Sequence, residues 1–203
     1  MATKLEFGKS YHIFNRGNNG ADIFFEERNY DYFLKLYQKY ITPIADTFAY
    51  CLLPNHFHFV LKIKKRSTLT DGSEKGLYQI DLSREFSNFF NSYSKSINKT
   101  YNRTGSLFER AFERVEVTSD RYFYQLILYV HLNPQSHSLV KNFQEYSYSS
   151  YNILLADQPT FLNKESVVDL FGSWEKFKNA HVLYKEDLQL VQFVGNDKFK
   201  TLL

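Results

Sequence analysis

The most specific chemical pattern in the chain is a pair of histidines separated by one residue. His56 and His58 stand in the run Pro54-Asn55-His56-Phe57-His58-Phe59-Val60. If this run is a β-strand, its side chains alternate between two faces, so both imidazoles point to one face and the phenylalanines to the other. Two imidazoles on one strand face are spaced to share a divalent cation. The same spacing also arises by chance, in which case the two histidines share no ligand.

A second polar pattern falls on a predicted helix between Asp120 and Asn133. Gln125, Tyr129 and Asn133 are spaced by four residues each, which places them on one face of that helix. A helix with a purely structural role would carry apolar side chains on its buried face. The chain contains 16 tyrosines and 20 phenylalanines, so Tyr129 alone also fits a half-buried core aromatic.

These two patterns fit one reaction. A cation held by His56, His58 and the amide oxygen of Asn133 would polarise an oxygen of a DNA phosphate and offset charge in the transition state. Tyr129 would then attack the phosphorus, with the metal or a base activating a phenol whose ordinary pKa is near ~10. Attack leaves a 5′-phosphotyrosine and a free 3′-hydroxyl, and a second 3′-hydroxyl can displace the tyrosine and rejoin the DNA. We therefore predict Tyr129 as the catalytic nucleophile and His56, His58 and Asn133 as metal ligands.

The elements that must position these residues follow from the hydrophobic periodicity. Strands are predicted over residues 10–15, 46–53, 56–63 and 112–117, and helices over 27–40, 79–98 and 120–133. Ser119 is the expected N-cap of the third helix, and Pro134 is expected to end it. The tight Pro54-Asn55 connection requires an antiparallel pair. The βαββαβ order predicts an α+β fold, a ferredoxin-like antiparallel sheet flanked by helices.

Composition and charge limit the function classes. The chain has 203 residues and a net charge of +3, with a pI of about 8.7, which is less basic than the pI above ~9 of strongly nucleic-acid-binding domains. Its one cysteine, Cys51, excludes an internal disulfide and a multi-cysteine zinc site. Neither a signal peptide nor an apolar run of ~20 residues is visible, which predicts a cytoplasmic protein with no membrane partner.

Basic residues stand near both chemical patterns. Lys62 and Lys64 end the histidine strand, and Arg103, Arg110 and Arg114 lead into the fourth strand. Such groups can follow a phosphate backbone, so we predict that they contact DNA. The alternative is a solvated surface, because acidic residues at 109, 113 and 116 dilute the charge of the second group.

At this point the chain resembles a known family, the single-tyrosine HUH transposases of small insertion sequences. The similarity is strongest to the branch associated with repetitive extragenic palindromes (REP). It rests on five motifs that follow the family's order and together span roughly residues 10 to 151. These are Tyr11-His12-Ile13-Phe14-Asn15-Arg16-Gly17-Asn18-Asn19, Leu53-Pro54-Asn55-His56-Phe57-His58, Gly105-Ser106-Leu107-Phe108-Glu109-Arg110, Tyr129-Val130-His131-Leu132-Asn133-Pro134 and Tyr146-Ser147-Tyr148-Ser149-Ser150-Tyr151.

The resemblance implies an HUH endonuclease fold over residues 1–151. It also implies His56 and His58 as metal ligands for Mg²⁺ or Mn²⁺, with Tyr129 as nucleophile and Asn133 as third ligand. The implied partner is a DNA hairpin with a single-stranded flank, and Arg16 matches a motif of the branch that we expect to contact DNA. Some relatives act as dimers and the REP-associated branch can act as a monomer, so a homodimer stays open.

Two parts of the chain depart from the family pattern. After Pro134 the sequence is Gln135-Ser136-His137-Ser138, where the family commonly has a more apolar and basic run. Residues 152–203 match nothing in the family and are expected to form a C-terminal extension packed on the first domain. Short helices are predicted there over 166–171 and 174–183, and a strand over 189–194. His131 is expected to be structural, and His12, His137 and His181 have no partner evident in the sequence.

Three alternative functions follow from the same residues. A replication initiator or relaxase-like nickase would share the histidine pair and the tyrosine, but the 129–134 motif and the short chain favour the transposase. A domesticated protein that binds hairpins without transposition would keep the fold, although an intact His56, His58 and Tyr129 set argues against lost catalysis. A structural metal protein is excluded, because one cysteine and scattered histidines cannot build a closed tetrahedral site.

Overall fold

Four strands and six α-helices make up the part of the chain that the structure describes. The computed structural model describes residues 4–65, 81–109 and 111–193, with side chains up to Tyr184. The strands are β1 (Ser10–Arg16), β2 (Ala45–Leu53), β3 (His56–Ile63) and β4 (Glu113–Val117). The helices are α1 (Glu27–Tyr40), α2 (Leu82–Thr100), α3 (Asp120–Ser136), α4 (Tyr151–Leu155), α5 (Lys164–Phe171) and α6 (Trp174–Phe193). Within these ranges no helix is both long and apolar enough to cross a membrane.

The strands form one antiparallel sheet in the order β2-β3-β1-β4. The two-residue connection at Pro54 and Asn55 joins β2 to β3 as an antiparallel pair, as predicted. The first strand lies between β3 and β4, so the chain order and the sheet order differ in the way that the ferredoxin-like plan requires. The predicted α+β fold class is therefore confirmed.

The two faces of the sheet carry different helices. On one face α1 packs through Phe33 against Phe57 and through Tyr37 against Phe59, with ring centroids 5.2 and 4.1 Å apart. Helix α2 adds Phe90, whose ring is stacked on Phe57 at 5.5 Å. On the other face α3 contacts β2, β3 and β4. Because strand side chains alternate, the phenylalanines of β3 enter the aromatic core while the histidines face α3.

Helix α3 begins as expected and ends later than expected. The Ser119 side chain accepts a hydrogen bond from the Tyr122 amide, so the predicted N-cap is present. The prediction that Pro134 ends the helix is wrong, since α3 continues to Ser136. Only one short turn follows the proline, and there the His137 amide donates to the Asn133 carbonyl and the Leu139 amide to the Pro134 carbonyl. A residue before proline prefers an extended backbone, and here the burial of Asn133 and Pro134 outweighs that preference.

The C-terminal region is more helical than its sequence pattern predicts. Helix α6 is a single helix to Phe193, so the predicted strand over 189–194 is wrong for residues 189–193, and residue 194 lies outside the described ranges. No proline or glycine interrupts the run from Trp174 to Phe193, and it is rich in good helix formers. The start predicted for the second helix, at residue 79, also lies outside the described ranges.

A glycine sets the turn that follows β1. The Gly17 amide donates to the Asn55 carbonyl, which joins the end of β1 to the β2–β3 connection. A Cβ atom at Gly17 would lie 1.8 Å from the backbone oxygen of Ala21, a distance that no side chain can accept. Glycine is therefore required for the chain to fold back directly after Arg16.

A buried chain of hydrogen bonds fastens α3 to the C-terminal helices. The His181 Nδ1 atom lies 2.7 Å from the Phe177 carbonyl, which can only accept, so Nδ1 carries the proton. The His181 Nε2 atom then accepts from His131 Nδ1 at 2.9 Å, and His131 Nε2 accepts from the Ser150 hydroxyl at 2.8 Å. Ser150 Oγ in turn accepts from the Tyr50 amide of β2. Each hydrogen bond in this series therefore has a defined donor and acceptor. His131 links α3 to α6 and β2, which is a structural role.

Candidate active site

The two histidines of β3 open onto the face of the sheet that α3 covers. Their ring centroids are 5.2 Å apart, and their neighbours across the strand pair are Arg16 opposite His56 and Phe14 opposite His58. His58 is buried, while His56 is partly exposed to a pocket of about 540 Å³. Strand alternation alone therefore brings both imidazoles to one site.

Tyr129 enters the same pocket from α3. Its ring meets the His58 ring edge-on, with centroids 5.7 Å apart and an interplanar angle of 79°. The side chain is half-buried and lines the pocket, so it is not an interior core aromatic. Burial raises the pKa of the Tyr129 hydroxyl above its ordinary value, and the nearby Asn133 amide has a smaller, opposite effect. At neutral pH the group is therefore a phenol that needs activation before it can attack.

Asn133, one helical turn beyond Tyr129, reaches the other imidazole. Its Oδ1 atom lies 3.4 Å from His56 Nε2. The opposite ring nitrogen, His56 Nδ1, lies 2.7 Å from Asn55 Oδ1, and Asn55 Nδ2 donates to the Gly20 carbonyl. The Asn55 amide is thereby oriented with its oxygen toward His56, so His56 Nδ1 carries the proton and His56 Nε2 presents a lone pair. Two acceptors, a nitrogen and an amide oxygen, thus face each other without a proton between them.

These atoms suit a small divalent cation. Adjacent ligands of an octahedral ion at about 2.1 Å from the metal are roughly 3 Å apart, close to the separation of His56 Nε2 and Asn133 Oδ1. The buried His58 Nε2 atom and the Asn133 Nδ2 atom have no hydrogen-bond partner among the described residues. No group of three or more His, Cys, Asp or Glu side chains in the described ranges is placed to hold a metal. The side chains that could hold a cation here are the two imidazoles and the amide oxygen of Asn133.

Burial keeps the histidines of the site neutral. It lowers the pKa of His56 to about 4 and that of His12 to about 3, and it lowers the pKa of His58 well below its ordinary value. Nearby histidines add to the effect at His56 and His58, because a second positive charge would repel the first. Neutral imidazole is the form that binds a metal, so the site needs no deprotonation before ligation.

The predicted DNA contacts lie in several places, and only one of them is at this pocket. Arg16 lines the pocket with a side chain that is 61% exposed, and its Nε atom lies 3.6 Å from Glu109 Oε2. Lys62 and Lys64 lie at the far end of β3 and line a separate cavity of about 530 Å³. The Lys64 Nζ atom donates to the Thr42 carbonyl at 2.8 Å.

The remaining arginines lie away from the histidines. The Arg103 guanidinium lies over the Phe25 ring at 5.5 Å. Arg114 pairs with Ile13 in the sheet, on the face that α1 and α2 cover, and its guanidinium lies 4.6 Å from the Phe112 ring. Arg110 lies outside the described residues.

Two histidines without an evident partner in the sequence belong to the site. The His12 Nε2 atom lies 2.9 Å from His58 Nδ1, and the His137 ring lies 4.8 Å from the His56 ring. His12 faces the site because β1 pairs with β3, which places the 12, 14 and 16 side chains on the histidine face. His137 reaches the site because α3 continues past Pro134. Strand alternation places His12 on one face of β1, but only the sheet order shows that this face is the one that carries His56 and His58.

Comparison with known proteins identifies a shared fold. No family model and no curated protein matches the sequence. The structure is similar to a solved structure of a REP-associated tyrosine transposase bound to a REP hairpin, with a TM-score of 0.57 and 13% sequence identity. The similarity covers 78% of this chain and 89% of that one. The chain therefore has the fold of a tyrosine transposase of the HUH class.

Proposed function

We propose that this protein is a metal-dependent transposase that cleaves and rejoins single-stranded DNA near hairpins through a 5′-phosphotyrosine. The observation that carries the proposal is the position of Tyr129, whose ring lies 5.7 Å from His58 in a pocket where His56 Nε2 and Asn133 Oδ1 face each other. A nucleophile and the ligands of a cation thus converge on one cavity. The proposed ion is Mg²⁺ or Mn²⁺, as the resemblance to the HUH transposases implies, and the amide oxygen of Asn133 is a ligand of the type that both ions prefer.

The residues of the chain divide the work of the reaction. His56, His58 and Asn133 hold the cation, which when bound acts as a Lewis acid on a phosphate oxygen of the DNA. The Tyr129 oxygen forms a bond to phosphorus, the bond from phosphorus to the 3′-oxygen breaks, the phenol proton leaves to solvent and the 3′-oxygen takes one up. Attack by another 3′-hydroxyl reverses these changes and releases Tyr129, so rejoining needs no nucleotide cofactor.

The partner is single-stranded DNA carrying a hairpin. The similar solved structure holds a REP hairpin, and its fold is the fold of this chain. Arg16, exposed at the mouth of the pocket, is placed to contact a phosphate of the flanking strand. All of the proposed catalytic side chains lie in one chain, which favours a reaction within one protomer, and the homodimer stays an open alternative.

The decisive experiment is a search for a covalent adduct. The protein is incubated with labelled single-stranded hairpin DNA and Mn²⁺, then denatured and separated by electrophoresis. Wild type is expected to carry the label covalently, and Tyr129→Phe is expected to lose the adduct while its affinity for the hairpin is retained. Tyr124→Phe is the matched control, because Tyr124 lies on the same helix but stacks on Phe171 away from the pocket.

Two results would contradict the proposal. If Tyr129→Phe forms the adduct as wild type does, the nucleophile is another residue. If wild type binds the hairpin but forms no adduct with Mg²⁺ or Mn²⁺, the protein is a hairpin-binding protein without strand cleavage.

A further inference from the structure

We infer that His12 is a positioning residue for the metal site: it accepts the Nδ1 proton of His58 and so keeps the Nε2 lone pair of His58 available to the cation. The inference rests on the proposed metal site. It assigns a role to a side chain on β1, which contributes no ligand of its own.

The contact between the two rings is close and shielded from water. His12 Nε2 lies 2.9 Å from His58 Nδ1, and the rings are stacked at an interplanar angle of 22°. His12 is 0% exposed and His58 is 6% exposed. The two outer nitrogens, His12 Nδ1 and His58 Nε2, have no hydrogen-bond partner among the described residues. The two neutral imidazoles carry two protons. One lies between His12 Nε2 and His58 Nδ1, and the other lies on one of the two outer nitrogens, His12 Nδ1 or His58 Nε2.

Two arrangements of that proton are available, and they have opposite consequences for metal binding. If His58 Nδ1 donates to His12 Nε2, His58 Nε2 presents a lone pair toward Tyr129 and the pocket. If His12 Nε2 donates to His58 Nδ1, His58 Nε2 carries a proton and cannot bind a cation. Ligation at His58 therefore requires the first arrangement, and His12 is the acceptor that makes it available.

An apolar residue at position 12 would lack this acceptor. The nearest rings are those of His58, Phe14 and Tyr129, with Phe14 at 4.7 Å and Tyr129 at 6.4 Å from the His12 ring. In such surroundings the His58 Nδ1 proton has no replacement partner, and a buried donor without an acceptor is unfavourable. A His58 that binds the cation through Nε2 must keep its proton on Nδ1, and in the leucine variant that proton has no acceptor, so cation binding is weakened.

The other proposed histidine ligand, His56, is also held by a hydrogen bond to its Nδ1 atom. His56 Nδ1 is held by Asn55 Oδ1 at 2.7 Å, which leaves His56 Nε2 as the lone pair. The two ligands thus have separate supports, an amide from the β2–β3 connection for His56 and an imidazole from β1 for His58. The second support is unusual because the acceptor is itself a histidine.

The test compares two substitutions at position 12. Glutamine can place its Oε1 near the position of His12 Nε2 and keep an acceptor, whereas leucine fills the space without one. Mn²⁺ affinity is measured by calorimetry on the protein without DNA. His12→Leu is expected to weaken Mn²⁺ binding by about 10- to 100-fold, and His12→Gln is expected to recover most of that loss. His181→Gln, a change at a buried histidine outside the site, should leave Mn²⁺ affinity unchanged.

A spectroscopic measurement on wild type keeps the inference testable if His12→Leu does not fold. In ¹⁵N NMR of the Mg²⁺-loaded protein, His58 is expected to carry its proton on Nδ1, with a coupling or contact to His12 Nε2. A proton on His58 Nε2, or a folded His12→Leu that binds Mn²⁺ as tightly as wild type, would overturn the inference. If wild type does not cleave DNA but His12→Leu still binds Mn²⁺ more weakly than wild type, the proposed transposase reaction is rejected and the role of His12 at the metal site stands.

Discussion

The Nε2 atom of His56 faces the Oδ1 atom of Asn133 at 3.4 Å, and the other ring nitrogen, Nδ1, lies 2.7 Å from Asn55 Oδ1, which favours the proton on Nδ1. Two acceptors in this position repel each other unless a positive charge lies between them. The amide oxygen comes from α3, the helix that also carries Tyr129. One helix therefore positions both the proposed nucleophile and one of the proposed metal ligands.

Substitution of Asn133 should separate metal binding from folding. Asn133→Ala removes the oxygen ligand and is expected to weaken Mn²⁺ binding at least tenfold, which corresponds to about 1.4 kcal/mol. Asn133→Asp keeps an oxygen and adds a negative charge, so it should bind Mn²⁺ at least as tightly as wild type. Calorimetry measures both, with Asn91→Ala on the exposed face of α2 as control. Equal Mn²⁺ affinity in wild type and Asn133→Ala would show that the third ligand is elsewhere.

Arginines on the two faces of the sheet should differ in their effect on DNA binding. Arg16→Ala is expected to weaken binding of a single-stranded hairpin substrate and to reduce the slope of log affinity against log salt by about 1, because one phosphate contact is lost. Arg114→Ala decides between the two alternatives for the second basic group: because Arg114 lies on the face that α1 and α2 cover, we expect the solvated-surface alternative, in which neither quantity changes. Both are measured by fluorescence anisotropy over a salt series. Equal losses in the two variants would mean that the DNA path crosses both faces.

The buried histidine chain predicts that stability falls in acid. Burial lowers the pKa of His181 to about 4, below the ordinary value of 6.5, so between these values the unfolded chain binds a proton that the folded chain does not. The contribution of His181 is fully present above pH 6.5 and is lost as the pH falls toward 4. By pH 5 the stability lost through His181 amounts to about 2 kcal/mol.

Urea unfolding at pH 7.5, 6 and 5 measures this dependence. His181→Gln, which can still accept from His131 Nδ1, is expected to lose about 2 kcal/mol less than wild type over that interval. Lys178→Gln, an exposed change on the same helix, should follow wild type. If His181→Gln and wild type lose the same free energy of unfolding between pH 7.5 and 5, burial does not lower the pKa of His181, and the prediction is wrong.

The sequence was sufficient to predict most of the strands and helices. It was also sufficient to predict the candidate site residues that lie together on one strand or one helix. His56 and His58 share a strand face by alternation, and Tyr129 and Asn133 share a helix face by spacing, so both pairs could be predicted. His12 could not, because its partner lies 46 residues away and only the sheet order brings the two together. His137 was missed because the preference of a residue before proline for an extended backbone predicts a helix end at Asn133, whereas burial of Asn133 and Pro134 keeps the chain helical to Ser136.

Helix α3 is attached to the rest of the molecule on two opposite sides. Tyr129 lines the pocket and Asn133 contacts His56, while His131, two residues from the tyrosine, points the other way to His181 of α6. A displacement of α6 would therefore also shift the helix that carries the Tyr129 phenol. Among homologous sequences, changes in residues 174–184 should consequently be accompanied by compensating changes along α3, and the extension would evolve as part of the catalytic unit.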